Sequence, residues 1–210
     1  MRTTTPLILL LAGTLLNGCA ADPGAITSEK QAIAQVAAPF SQGAIALEIQ
    51  TDPDLNALQG IANSCTLLVV QAQKASTLNK LLSSPFKLKN LFSAAGAQDD
   101  ILKVDRYPAM PGQSTTLHID RSENSRYIAI VAGYYPFPQK QHMALVAIPV
   151  TTESTGWWHT TWRAQLTPLS LKMRLGSNSI SQFTGVTPEP LALTSADAAP
   201  SAITAPGKGG

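Results

Sequence analysis

The sequence is poor in charged residues and in cysteine, and both shortages exclude classes of protein. Charged residues make up 13% of the 210 residues, about half of the roughly 25% found in an ordinary globular domain. The 15 basic and 13 acidic residues leave a formal net charge of +2, which is too small for a surface that neutralises nucleic-acid phosphates. The 2 cysteines are too few for a disulfide scaffold or a thiolate zinc site.

Catalytic and cofactor motifs are also missing. The sequence contains no GxSxG, HExxH, P-loop or GxGxxG pattern, which are the signatures of common hydrolase, zinc and nucleotide sites. His118 and Asp120 have the spacing of two metal ligands on one strand face, but no third ligand clusters near them. We prefer a solvated outer face for this pair, and we predict no catalytic residue, no metal and no cofactor.

The N-terminus has the layout of a bacterial lipoprotein signal. An apolar stretch at residues 6–16 is too short to span a bilayer but has the length of a secretory h-region. It leads into Leu16-Asn17-Gly18-Cys19, which resembles a lipobox. In such signals the segment before the cysteine is removed and the cysteine is acylated. We predict a signal peptide at residues 1–18 and a lipid on Cys19; the alternative is an ordinary signal peptide with a chance cysteine.

The remaining chain divides into a linker, a domain and a tail. Residues 19–41 are rich in Ala, Gln and Ser and predict a tether between the lipid and the domain. Residues 42–182 hold the strand-like segments, and residues 183–210 predict a disordered tail rich in Pro and Ala. Ala20 follows the cysteine; by resemblance to the sorting signals of enteric-type bacteria, this residue favours the outer membrane.

Apolar residues in residues 42–182 alternate in the manner of short strands. The alternation is clearest where Ile45, Leu47 and Ile49 share one face. Leucines at i, i+3 and i+4 spacing instead predict a small helical insertion at about residues 76–95, between strands 2 and 3. The pattern indicates a mainly β fold, an antiparallel two-sheet β-sandwich. The predicted strands are residues 44–50, 65–73, 101–106, 115–120, 126–135, 143–150 and 169–175.

Two groups of side chains have a placement that the sequence leaves open. Tryptophan occurs only at residues 157, 158 and 162; the three indoles form either an exposed patch or a hairpin end packed on the core, and we favour packing. Loop 55–64 carries Leu58 and Ile61, which either present an interface or fold back on the core.

Two further side chains have a definite predicted placement. Cys65 opens an apolar strand, which predicts a buried free thiol. His142 lies in a proline-flanked loop, which predicts an exposed side chain.

Four segments in a fixed order carry a family resemblance. The lipobox is followed by DPDLN at residues 52–56, YIAIVAGY at residues 127–134 and WR at residues 162–163. This order, over about residues 16–180, resembles TssJ, the family of outer-membrane lipoproteins of the bacterial type VI secretion system. The resemblance implies a transthyretin-like β-sandwich that works as a scaffold and not as an enzyme. Residues 136–161 are longer than the family pattern leads us to expect.

The resemblance also implies partners and site residues. It implies anchorage at the periplasmic face of the outer membrane through Cys19, and binding to the periplasmic C-terminal part of a TssM-like inner-membrane protein. A TssL-like protein belongs to the same implied complex. In the family, the loop between the first two strands makes much of the contact. Carried onto this chain, that loop consists of Asn56, Ala57, Leu58, Gln59, Gly60, Ile61, Ala62 and Asn63.

A second class of function stays open at this point. Trp157, Trp158 and Trp162 form a secondary patch that suits a periplasmic carbohydrate- or peptidoglycan-binding lipoprotein, because indoles stack on sugar rings. Neither function involves nucleic acid.

Overall fold

The computed structural model describes residues 26–93, 100–136 and 138–191. The predicted signal peptide, the predicted lipidation site Cys19 and residues 192–210 of the predicted tail lie outside the described residues. In the part of the chain that is described, no helix combines the length and the apolar character needed to cross a bilayer.

The described residues form ten strands, three α-helices and one short 3-10 helix. The helices are α1 (Glu29–Ala34), α2 (Ala75–Leu82), α3 (Pro85–Phe92) and the 3-10 turn Lys140–His142. The strands are β1 (Ser41–Thr51), β2 (Cys65–Ala72), β3 (Ile101–Ala109), β4 (Ser114–Arg121), β5 (Tyr127–Ala132), β6 (Met143–Ala147), β7 (Val150–Thr155), β8 (Thr161–Leu166), β9 (Leu169–Leu175) and β10 (Ile180–Thr184).

Two four-stranded sheets form a sandwich, which confirms the predicted fold class. The first sheet has the order β10-β9-β1-β4 and the second has the order β3-β2-β5-β6, while β7 and β8 form a separate hairpin. The prediction of a fully antiparallel sandwich is wrong at one place, since β1 and β9 run parallel, with Ile45 opposite Leu169 and Thr51 opposite Leu175. Strands β2 to β8 lie between β1 and β9 in the sequence. No short hairpin therefore connects β1 to β9, and the two strands are free to run parallel.

The core between the sheets follows the predicted alternation. Ile45, Leu47 and Ile49 of β1 are buried, and Leu67 and Ile130 face them from β2 and β5 within the same cluster. Every second residue of β9 is buried as well. The two sheets therefore bury one face each against the other, as a sandwich requires.

The helices α2 and α3 cover the outer face of the second sheet. Their leucines at i, i+3 and i+4 spacing are buried, and they pack with Leu68, Val70 and Val131 in a second apolar cluster. Because β2 and β5 are covered on both faces, they read as continuous apolar runs instead of alternating ones. Ser84 caps α3 through its side chain, which accepts a hydrogen bond from the backbone N–H of Lys87 at 3.4 Å.

Ordered structure extends beyond both predicted domain boundaries. On the N-terminal side, α1 lies in the segment predicted as a linker, buries Ala32 and packs on β7 and β8. The guanidinium of Arg126 donates to the carbonyls of Ile33 and Ala34 at 2.6 and 2.9 Å. On the C-terminal side, β10 crosses the boundary at residue 182, and the backbone N–H of Glu189 donates to Leu145 at 2.7 Å. Residues 26–41 and 183–191 are therefore parts of the fold.

A loop end and a tryptophan tip as candidate functional sites

Four connections of the sandwich meet at one end of the molecule. The β1–β2, β3–β4, β5–β6 and β9–β10 connections all lie there, since β1 ends at Thr51 opposite Leu175, the last residue of β9, and β2 begins at Cys65 opposite Ala109, the last residue of β3. We call this region the loop end. The loop predicted to contact the partner, residues 56–63, belongs to it.

The predicted partner loop contains a two-residue hairpin. Leu58 and Ile61 exchange both of their backbone hydrogen bonds, at 2.9 and 3.0 Å. The two residues between them, Gln59 and Gly60, have φ values of +53° and +79°, as a type I′ turn requires. Leu58 is 46% exposed and Ile61 is 69% exposed. Both apolar side chains therefore face solvent on a tight turn and do not fold back on the core.

Buried polar contacts fix the base of this loop. Asn56 is buried and has a φ of +47°, a left-handed conformation that asparagine tolerates better than most residues. Its side-chain amide donates to the carbonyl of Ser64 at 3.1 Å and accepts from the backbone N–H of Tyr135 at 2.9 Å. The Asn63 amide donates to the carbonyl of Ile61 at 2.8 Å. The loop is therefore held in one conformation before any partner binds.

A buried aromatic pair supports the neighbouring connections. The Tyr134 hydroxyl lies 3.0 and 2.9 Å from the carbonyls of Gly176 and Ser179, and its ring centroid is 4.4 Å from that of His142. Burial raises the pKa of Tyr134, so the phenol stays neutral and donates. The pair ties the β5–β6 connection to the β9–β10 connection.

His142 is buried, so the prediction of an exposed histidine is wrong. Its Nδ1 accepts from the backbone N–H of Gln139 at 2.8 Å, and its Nε2 lies 2.7 Å from the carbonyl of Asn178. This arrangement assigns the proton of the neutral ring to Nε2. Burial lowers the pKa of His142, and the hydrogen bond to Asn178 opposes that shift. This site could not be predicted from the sequence, because Asn178 belongs to a distant loop.

Other exposed side chains complete the loop end. Tyr135 and Met110 are exposed beside the loop, and the carbonyl of Met110 accepts from the Thr51 hydroxyl at 2.6 Å. A shallow depression of about 130 Å³ opens between the partner loop and the β9–β10 connection, with Ala57 and Asn178 on its walls. Exposed apolar side chains with a polar surround are typical of protein-binding surfaces.

The tryptophans lie elsewhere, on the β7–β8 hairpin. Trp157 is 90% exposed and Trp158 is 85% exposed, so the prediction that these two indoles pack on the core is wrong. They sit in the turn at residues 156–160, beyond the last ladder pair Thr155–Thr161, where no core is within reach. Their ring centroids are 6.2 Å apart and their planes differ by 32°. Trp162 is partly buried in β8. We call residues 157–158 the tryptophan tip.

The described residues offer no reactive site. They contain no group of three or more His, Cys, Asp or Glu side chains that could hold a metal ion. His118 is exposed, and Asp120 accepts a hydrogen bond from the backbone N–H of Gly43 at 2.8 Å. Cys65 is a buried free thiol, as predicted, and burial raises its pKa to about 11. The thiol is therefore protonated and unreactive at neutral pH.

Comparison with known proteins places the chain in a family. A family model described as type VI secretion lipoprotein (VasD, EvfM, TssJ) matches residues 43–177, which is more than half of the chain. The chain belongs to this family. It is a lipoprotein of the type VI secretion system, and the family is structural, not enzymatic. No curated protein matches the sequence.

Solved structures of type VI secretion components resemble this lipoprotein. TssJ1 from Pseudomonas aeruginosa is 18% identical with a TM-score of 0.46, covering 73% of this chain and 98% of TssJ1. The membrane-bound component Lip from Serratia marcescens is also 18% identical with a TM-score of 0.46, covering 68% of this chain and 96% of Lip. A chain of a type VI membrane complex is 15% identical with a TM-score of 0.46, and the match covers 73% of this chain and 100% of that chain.

Proposed function

We propose that this lipoprotein anchors a type VI secretion membrane complex to the outer membrane by binding the periplasmic part of a TssM-like inner-membrane protein. The observation that carries the proposal is the hairpin at the loop end, which holds Leu58 and Ile61 in solvent. Exposed apolar side chains on a monomeric surface are the usual anchors of a protein interface. A TssL-like protein belongs to the same proposed complex.

The rigidity of the loop favours tight binding. Asn56 and Asn63 already satisfy the backbone groups at its base, so few rotatable bonds are left to order when a partner docks. Each flexible side chain that must be immobilised costs about 0.5–1.5 kcal/mol. A loop that is ordered in advance avoids most of this cost.

Cys19 is the residue that we assign to the lipid anchor. A lipoprotein of this kind needs a cysteine for acylation, and the sequence has 2 cysteines. Cys65 is buried in β2, so its sulfur is inaccessible to an acylating enzyme. The anchor holds the domain at the membrane, where the raised effective concentration of the partner strengthens a modest contact.

Replacement of Leu58 and Ile61 by Asp tests the proposed interface. The double variant should lose capture of the periplasmic domain of the TssM-like protein from the same organism, because two charges would have to be desolvated in the contact. Phe40→Asp is the matched control, since Phe40 is exposed just before β1, at the other end of the sandwich. Unchanged capture by the double variant, with a native unfolding transition, would remove the loop from the interface.

A further inference from the structure

The tryptophan tip is the largest exposed aromatic feature of the described residues. Both indoles are almost fully in water, although each has roughly 150–250 Å² to bury. Nothing in the described residues packs on them, and the function proposed for the loop end does not use them. Two adjacent exposed indoles indicate a binding surface for an apolar partner.

The hairpin presents the tip on a firm support. The hydroxyls of Thr155 and Thr161 are 3.0 Å apart across the last ladder pair, and α1 packs against both strands. Gly156 starts the turn with a φ of +110°, and a Cβ at this residue would clash with the carbonyl oxygen of His159. The turn therefore depends on glycine and projects the indoles outward.

The tip lies near the point where the described chain begins. The backbone N–H of Trp162 donates to the carbonyl of Ile26 at 2.8 Å. Trp158 is four residues from Trp162 along the hairpin, which corresponds to about 13 Å. Cys19 precedes Ile26 by seven residues, a length of chain that spans at most about 25 Å. The tether is thus long enough for the tip to touch the bilayer that holds the anchor.

The hairpin that carries the tip begins at the end of the sandwich opposite the loop end. The base of the β7–β8 hairpin is closed by a hydrogen bond of 2.9 Å from Thr167 to Pro149. That base leads directly into β9, whose first residue Leu169 is opposite Ile45 near the start of β1. The partner loop follows the end of β1. When the hairpin end faces the bilayer, the loop end therefore points away from the bilayer.

We propose that the tryptophan tip, Trp157 and Trp158, inserts into the headgroup region of the phospholipid leaflet that holds the lipid anchor. The inference rests on the anchorage at Cys19 under the proposed function. Indoles prefer this depth of a bilayer, because their rings are apolar while their N–H groups still find polar partners. The tip acts as a second contact that fixes the orientation of the domain on the membrane.

The chemistry around the tip favours lipid over other partners. The turn at residues 156–160 contains no Lys, Arg, Asp or Glu, so the contact is apolar and insensitive to salt. The two rings are tilted by 32° and do not form one flat platform for a sugar. Trp162, the third residue of the alternative glycan patch, is partly buried in β8.

Fluorescence on vesicles tests the proposal without relying on natural acylation. The chain from Cys19 to Gly210 contains every described residue, and its Cys19 thiol can be coupled to maleimide lipids in vesicles of phosphatidylethanolamine and phosphatidylglycerol while Cys65 stays buried. We expect a blue shift of the tryptophan emission and quenching by lipids brominated near the headgroup. Trp157→Ala with Trp158→Ala should abolish both effects and leave the emission of Trp162. Phe86→Ala, which removes an exposed ring from α3, should change neither.

Three results would overturn the proposal. One is an emission from the coupled chain that equals its emission in buffer, with unchanged quenching by acrylamide. The second is a shift caused by soluble peptidoglycan fragments and not by lipid, which would make the tip a glycan site. The third is lipid quenching that disappears at high salt. None of these results depends on acylation in the cell or on the TssM-like partner. The membrane contact can therefore fail while the proposed binding of the TssM-like protein holds, and the capture experiment tests that binding separately.

Discussion

The side-chain oxygen of Asn56 accepts a hydrogen bond of 2.9 Å from the backbone N–H of Tyr135. This bond joins the β1–β2 loop, which leaves the first sheet, to the β5–β6 connection of the second sheet. The same amide holds the carbonyl of Ser64 at 3.1 Å. One buried side chain thus sets the position of the partner loop relative to both sheets.

Asn56→Ala should destabilise the domain by about 2–4 kcal/mol. Two buried hydrogen bonds lose their partner, and alanine is less tolerant of the φ of +47°. The free energy of unfolding in urea measures the loss. Asn56→Gly separates the two causes, because glycine removes the hydrogen bonds without the backbone strain. Equal stability of the alanine and glycine variants would show that strain plays no part.

Gly133→Ala should also destabilise the domain, by about 1–3 kcal/mol, as overpacking does. A Cβ at Gly133 would lie 2.8 Å from the Phe92 ring and 2.9 Å from the carbonyl oxygen of Thr66. Thermal unfolding measures the effect. Gly112→Ala is the control for backbone strain, because Gly112 has a φ of +69° and open space around its Cα. A smaller loss at Gly133 than at Gly112 would contradict the close packing of α3.

The stability of the domain should fall as the pH drops through the region of the ordinary histidine pKa, near 6.5. Burial lowers the pKa of His142 in the folded state, so the unfolded chain takes up the proton first. The contribution of neutral His142 is complete above pH 6.5 and is lost as the pH falls toward the lower folded pKa. Urea midpoints at several pH values measure this slope, and His142→Gln should flatten it. An equally steep slope in that variant would assign the effect to other groups.

Cys19→Ser should release the protein from the outer membrane into the soluble periplasmic fraction, because serine accepts no thioether-linked lipid. Fractionation and immunoblotting measure the distribution, and secretion by the type VI system should be lost in the same strain. Cys65→Ser is the matched control, since that sulfur is buried in β2 and its loss should leave the membrane location unchanged. A Cys19→Ser protein that still fractionates with the outer membrane would disprove the assigned anchor.

Local patterns predicted the elements that bury one face along a continuous segment. The alternation around Leu47 predicted β1, and the leucine spacing predicted α2 and α3 in the second apolar cluster. Cys65 was predicted as buried for the same reason. The exposure of Leu58 and Ile61 was not decided by the sequence, since it follows from a type I′ turn with Gln59 at a position that favours Asn or Gly.

The missed features depend on contacts between distant segments. α1 packs on the β7–β8 hairpin, so the composition of residues 19–41 alone could not predict it. His142 is buried through Asn178, and Trp157 is exposed because its turn extends beyond any apolar surface. β10 pairs with β9 through Phe183 opposite Met173, within the segment that composition assigned to a tail.

Strand β1 determines how the domain carries mechanical load. The segment on the side of the proposed anchor Cys19 enters β1 at Ser41, and the proposed partner loop follows β1 after Thr51. Tension between the two membranes would therefore pull along this strand. β1 lies between β4 and β9 and pairs with both from Ile45 to Gln50, so the load would pass along the backbone of a central strand that is already extended. Because an extended strand can lengthen little further, the proposed anchor and the proposed partner loop would keep a nearly fixed separation under load.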